Sequence, residues 1–294
     1  MIRKKVVLDF ERMKQKGILT PNMGRSHMAE EYRVIKRPLL LNAHNVESAE
    51  SEEPGGNPRM IMVTSAFPKE GKTFTAINLA ISLAAEMDHT VVLVDGDVAK
   101  PSVSRILGFK AKVGLIDYLM GKVKHFNDVL IRTNVPKLML FPSGRRHHQA
   151  TELLASENMR LLLKDLVNSG PDRLVVFDSP PLLVTTEARE LARNMGQIVM
   201  VVEAEHTPQF AVKDALYHLD NLDIVGLVLN KAKSPSKGGY YYYGYGGYGG
   251  YGGYGGYGGY GGYGGYGSYG GYGSYGGGGG KGKKKSWWKR LFDL

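Results

Sequence analysis

Six short apolar runs punctuate the chain, at 60–64, 91–94, 138–141, 174–177, 198–202 and 224–229. Each is continuous rather than alternating, the pattern of a strand buried on both faces. Helical spacing appears between them, near 72–86, 151–168, 186–194 and 209–220. Strands alternating with helices predict an α/β fold, an open, doubly wound and mostly parallel sheet. In such sheets ligands gather at the carboxyl ends of the strands. The residues just past each apolar run are therefore the first to search for chemistry.

The flanks of this alternation read differently. Residues 1–25 form an irregular or partly helical lead with Pro21-Asn22 as a break. Glu30, Arg33 and Lys36/Arg37 recur at helical spacing before Pro38 and share one charged face, which by charge pattern alone is a solvated helix. Residues 47–59 are polar with Pro and Gly breaks, a linker. From Ser234 to Gly280 the sequence is almost only Gly and Tyr, and 281–294 is basic with Trp287 and Trp288.

Composition narrows the setting. There is no cysteine, so no disulfide framework, which fits a cytoplasmic protein. No apolar run reaches the roughly 18–20 residues of a membrane span, and Asp9, Glu11 and Arg12 interrupt the N-terminal apolar stretch too early for a signal peptide. The net charge is +10, but the last fourteen residues hold six Lys or Arg against Asp293. The body is thus mildly basic, poor support for a nucleic-acid surface; no nucleic-acid partner is expected, and the Gly-Tyr stretch lacks the arginine of RNA-binding tails.

Chemistry enters at three strand ends. After 60–64 comes Ala66-Phe67-Pro68-Lys69-Glu70-Gly71-Lys72-Thr73-Phe74, opening a helix. Strand, glycine loop, Lys-Thr and helix is the Walker A arrangement of P-loop NTPases, with Ala66 where the first glycine usually stands. Backbone N–H groups and the helix dipole favour phosphate there, Lys72 can reach the β- and γ-phosphates, and the Thr73 hydroxyl can ligate Mg²⁺. After 91–94 come Asp95 and Asp97, which can face one cavity if the chain turns at Gly96. After 174–177 comes Asp178, the Walker B placement for holding Mg²⁺ or its water. His147 and His148 follow two arginines in a loop and lack the spacing of a metal site.

These three stretches together resemble the bacterial tyrosine kinases, with Walker A, a second aspartate motif (Walker A′) and Walker B. Gly114-Leu-Ile-Asp-Tyr-Leu119, Pro142-Ser-Gly144, Glu152-Leu-Leu-Ala-Ser156 and Gly226-Leu-Val-Leu-Asn230 fit the same family, and the resemblance covers about residues 28–245. The Gly-Tyr tail is similar to that of exosortase-associated autokinases of exopolysaccharide loci. The resemblance implies that Lys72 and Thr73 bind the phosphates and Mg²⁺ of ATP. It makes Asp95 the catalytic carboxylate that accepts the tyrosine proton or enters the metal shell, and Asp97 and Asp178 the rest of the metal site. Asn230 would contact adenine, and Glu30-x-x-Arg33-x-x-Lys36 would be a subunit-contact motif with Lys36 in place of the usual second arginine. A homo-oligomer, even a ring, and a membrane-embedded polysaccharide chain-length regulator as activator are implied with it. The implied location is the cytoplasm, recruited to the inner face of the plasma membrane. The competing reading is a P-loop ATPase switch of the partition or septum-site type. Those proteins carry an extra lysine at the second loop position, where this chain has Phe67, and Lys69 sits two positions later.

The expected organisation is therefore 1–58 as lead, subunit-contact helix and linker, 59–233 as the kinase domain, 234–280 as tail and 281–294 as terminus. Fifteen of the 18 tyrosines lie in the tail, among them Tyr240, Tyr241, Tyr242, Tyr243, Tyr245 and Tyr248 as the first phosphoacceptors. Its composition predicts disorder. A Gly-rich coil of about 45 residues spans roughly 35–40 Å, enough to enter its own site or a neighbour's. The basic, Trp-containing terminus resembles a short interfacial anchor for a membrane surface.

Overall fold

The computed structural model describes residues 4–24, 26–44, 56–170, 172–219 and 225–233. The tail tyrosines, the 281–294 terminus and most of the linker lie outside the described residues. Among the described residues, eight strands form one sheet in the order β1-β4-β5-β3-β6-β2-β7-β8. These are β1 (Lys4–Lys5), β2 (Met60–Ser65), β3 (Thr90–Asp95), β4 (Ile131–Arg132), β5 (Leu138–Phe141), β6 (Arg173–Asp178), β7 (Gln197–Glu203) and β8 (Val225–Asn230). All pairings are parallel except β4 with β5. The six expected strands are present, each within a residue or two of its expected bounds.

Burial on both faces is what the unbroken runs encode. Ile61, Val63, Val91, Leu93, Leu174, Val176, Val199 and Val201 pack with Ile77, Leu79 and Leu83 of α3 (Lys72–Ala84). Their alternates, among them Met62, Val92, Val175 and Phe177, are also buried. Helices α7 (Glu157–Asn168) and α8 (Thr186–Ala192) pack on β6 and β2. The stretch expected as one helix over 151–168 is two, α6 (Ala150–Leu154) and α7. Ser156 stops the first and N-caps the second, its hydroxyl accepting from Met159 N.

The N-terminal lead joins this core. Helix α1 (Phe10–Gln15) buries Met13, and Leu8, Ile18 and Leu19 enter the cluster around α3. The Asn78 side chain of α3 accepts from Leu19 N at 2.7 Å, and Asn134 exchanges two backbone bonds with Leu8. Helix α2 (His27–His44) runs through Pro38 and lies on α3. Buried Gln197 ties it to the sheet, donating to the carbonyls of Leu39 (3.0 Å) and Pro58 (2.5 Å) and accepting from Asn42.

One charged position on α2 behaves against its pattern. Lys36 is buried, donating to the Ser82 carbonyl at 2.7 Å and pairing with Glu86 at 2.6 Å. It therefore covers the C-terminal end of α3, where a cation is favoured, rather than sharing the outer face with Glu30 and Arg33. Those two residues pair with each other in the open.

Candidate active site

Parallel strands end together, so β2, β3 and β6 deliver their terminal residues to one rim. Asp95 and Asp178 stand opposite each other in the β3–β6 register. Gly96 also matters for close packing. Its φ is not in the left-handed region, but an added Cβ would lie 3.0 Å from the Asp178 carbonyl, which accepts from Gly96 N at 2.8 Å. Glycine lets the chain after β3 hug the end of β6. Asp97 then meets Lys72, its Oδ2 accepting from Nζ at 2.7 Å while Oδ1 accepts from Lys100 N at 3.0 Å. Asp95 Oδ2 accepts from Val103 N at 3.1 Å, at the start of α4 (Val103–Leu107).

The phosphate loop leads from β2 into α3. Gly71 holds the N-cap position at φ 102°, and no side chain caps the helix. The N–H groups of its first turn are thus left for an anion. Ala66 is fully buried at an ordinary negative φ, so the position does not need glycine; Lys69, at φ 74°, is the non-glycine loop residue in the left-handed region.

The loop is braced by groups at the ends of β7 and β8. Asn230 donates to the Glu70 carbonyl at 2.8 Å, and Lys231 donates to the Lys69 carbonyl and to Glu203, each at 2.8 Å. The buried Glu70 carboxylate accepts from Phe67 N at 2.7 Å and from the Thr207 hydroxyl. Among the expected cofactor-binding residues, Glu70 and Asn230 thus shape the loop. Phe74 turns away, its ring near Gly17 of the lead.

Burial and charge set the three carboxylates apart. Three acids, Asp95, Asp97 and Asp178, face one ammonium, Lys72. Asp95 Oδ1 and both Asp178 oxygens are buried without a hydrogen-bond partner among the described residues. Burial pushes the Asp178 carboxyl up to about 6, with the Lys72 charge and the Thr73 hydroxyl pulling back; that hydroxyl pairs with Ser102 at 3.1 Å. Burial, and next the Asp178 charge, hold Asp95 well above the usual carboxylate range. Orphaned buried carboxylate oxygens are costly, so the donor set fits a divalent cation. Among the described residues no three or more His, Asp or Glu close into an all-protein metal cage.

The expected site residues Lys72, Thr73, Asp95, Asp97 and Asp178 are therefore brought together. Sequence reasoning missed Ser102, Glu203, Thr207 and Lys231. Glu203 and Lys231 were accessible by the rule that selected the aspartates, since they stand at or just past strand ends.

Comparison with known proteins places this geometry. The AAA_31 family (AAA domain) matches residues 59–223. The tyrosine-protein kinase YwqD of Bacillus subtilis is 28% identical over 233 residues, covering 78% of this chain and 92% of that protein. The succinoglycan biosynthesis transport protein ExoP of Rhizobium meliloti is 32% identical over 191 residues, 63% of this chain but 24% of its own length. The kinase domain of the Escherichia coli tyrosine kinase ETK has the same fold, with a TM-score of 0.58 at 21% identity over 81% of this chain and 95% of that one. The chain belongs to the AAA-domain family, and the relatives it is similar to include named bacterial tyrosine-protein kinases.

Proposed function

We propose that this protein is an ATP- and Mg²⁺-dependent protein-tyrosine kinase that phosphorylates tyrosines of its own 234–280 segment and regulates exopolysaccharide synthesis or export. The observation that carries the reading is the convergence of Lys72 with three strand-end carboxylates, three of whose oxygens are buried and unpartnered. Such a site is built for a metal and a polyphosphate rather than for a resident salt bridge.

The contacts support a role for each residue. The uncapped turn of α3 and the loop N–H groups hold the phosphates. Lys72 exchanges Asp97 for the β- and γ-phosphates. Burial strengthens Asp95 as a base, and in its ionised form it would accept the tyrosine hydroxyl proton. Thr73, Asp95, Asp97 and Asp178 would hold Mg²⁺, which when bound neutralises charge on the transferring phosphoryl group. Asn230, its amide nitrogen on the loop, would meet adenine through its remaining face.

Tyr240, Tyr241, Tyr242, Tyr243, Tyr245 and Tyr248 are the proposed first acceptors. Each phosphotyrosine adds about −1.5 to −2 at pH 7, so five offset most or all of the chain's +10. An unmodified tail then permits self-association and a modified one opposes it. No described helix is long and apolar enough to cross a membrane. A separate membrane-embedded chain-length regulator is the proposed activator, bringing the protein to the inner membrane face with 281–294 as a surface contact. The test is a phosphotyrosine immunoblot of the purified full chain with ATP and Mg²⁺, with and without that regulator. Signal lost in Lys72→Met supports the reading; no signal in any wild-type arm sinks it and leaves the ATPase switch.

A further inference from the structure

Beyond the metal site, α4 and α1 meet around a basic hollow. A cavity of about 530 Å³ is lined by Arg12, Ser104, Arg105, Gly108, Phe109 and Lys110. Gly108 makes room for it. Its φ is +82°, and an added Cβ would lie 2.8 Å from Arg12 Nη1, so the guanidinium lies against the bare backbone there. Arg12 reaches α4 only through the Arg105 carbonyl, at 3.5 Å. Lys16 stands beside them, donating to the Ile106 carbonyl at 2.8 Å.

The cations are uncompensated. The nearest acids in sequence are already engaged: Asp9 caps α1 by accepting from Arg12 N, and Glu11 pairs with Lys14 at 2.7 Å. Arg12, Arg105 and Lys110 form no ion pair among the described residues. Desolvation, followed by repulsion from Arg12 and Arg105, pulls Lys16 below the usual lysine range. Like charges gathered without a counter-charge oppose folding, and an arriving anion relieves that repulsion.

The shape and side chains select the anion. Two guanidiniums offer fork-shaped donor sets that match phosphate oxygens. Ser104 adds a hydroxyl, and half-buried Phe109 offers an apolar wall for an aryl ring. The hollow is concave, so it takes a protruding ligand better than a flat lipid surface. Its place also matters. Helix α4 begins directly after Ser102, whose hydroxyl meets Thr73 at 3.1 Å.

We propose that this hollow is a phosphotyrosine pocket that binds modified tyrosines of the Gly-Tyr tail. The proposal rests on the kinase reading above for the origin of its ligand. Tyrosine recurs every third residue from Tyr248 to Tyr275. Anchoring one modified ring therefore keeps its unmodified neighbours near the same rim for further transfer.

The test uses the phosphatase-treated full chain and a fluorescent synthetic Gly-Gly-Tyr repeat peptide, with and without one phosphotyrosine. Anisotropy is expected to show the phosphopeptide binding about tenfold more tightly than its unmodified twin, with affinity falling as salt rises. In R12Q/R105Q that preference is expected to disappear, with nucleotide affinity unchanged and melting temperature no lower. R12Q alone, which removes only the 3.5 Å contact to Arg105, guards against a folding defect in the pair. Equal binding of the two peptides overturns the proposal, as does full phosphopeptide affinity in R12Q and R12Q/R105Q. Binding of phosphatidylglycerol vesicles through these arginines with no phosphopeptide binding overturns it too. Because the peptide is made chemically, a tail that never gains phosphate from ATP sinks the kinase reading without touching this result.

Discussion

Replacing Asp178 by asparagine should make the nucleotide-free protein more stable while disabling it. Asp178 is fully buried, both oxygens lack partners among the described residues, and its carboxyl is pushed up to about 6 from an ordinary 3.8. The sign follows from proton binding. Between those values the folded chain holds a proton that the unfolded chain has lost, so stability falls as pH rises through that window. At about 1.36 kcal/mol per pH unit, the ionised carboxylate costs about 3 kcal/mol at pH 7.5 and about 1 kcal/mol at pH 4.5. Asparagine keeps the shape and removes the charge. Asp178→Asn is therefore expected to gain up to about 3 kcal/mol at pH 7.5, a rise of up to roughly 6–12 °C in melting temperature for a domain of this size. Most of the gain should vanish at pH 4.5. The assay is thermal unfolding of both full chains without nucleotide or divalent metal, at the two pH values. A variant less stable than wild type at pH 7.5, or an equal gain at both, refutes the reasoning.

Three further substitutions probe other contacts. Lys36→Met strips the Ser82 carbonyl and Glu86 of their buried partner and should lower stability by about 1–3 kcal/mol in urea unfolding at dilute concentration; a residue serving only a subunit contact would leave that midpoint unmoved. Gly71→Ala places a Cβ 2.0 Å from Asn230 Nδ2 at φ +102°, so calorimetry should show nucleotide affinity falling by about tenfold or more; retained affinity means the loop does not need this shape. Asn230→Ala removes the 2.8 Å bond to the Glu70 carbonyl and should weaken nucleotide binding about 2–10-fold, and no change would show that Lys231 and Thr207 hold the loop without it.

The central sheet was readable because parallel strands buried on both faces are continuous apolar runs, and because the acids that end them break those runs sharply. Asp95 and Asp178 are legible for that reason. Two-residue strands such as Lys4–Lys5 and Ile131–Arg132 carry no such signal, since two residues are too short a span to show any pattern. Short helices such as α4 and α5 (Leu115–Leu119) escape for the same reason of length. Lys36 was misplaced because charge pattern reports which residues share a helix face, not which face meets the end of another helix. Gly96 reads in sequence as a residue that lets the chain turn; its close approach to the Asp178 carbonyl is visible only in the folded sheet. The bracing of the phosphate loop by Glu203, Thr207, Asn230 and Lys231 depends on β7 and β8 lying beside β2, an order fixed by the sheet rather than by local sequence.

The most direct measurement of the central claim is intact mass spectrometry of the full chain after incubation with ATP and Mg²⁺, followed by peptide mapping. The account predicts a ladder of phosphoryl increments confined to tyrosines of 234–280, absent in Lys72→Met and in Asp95→Asn. ATP consumed with the chain's mass unchanged, even with the membrane activator present, would contradict it.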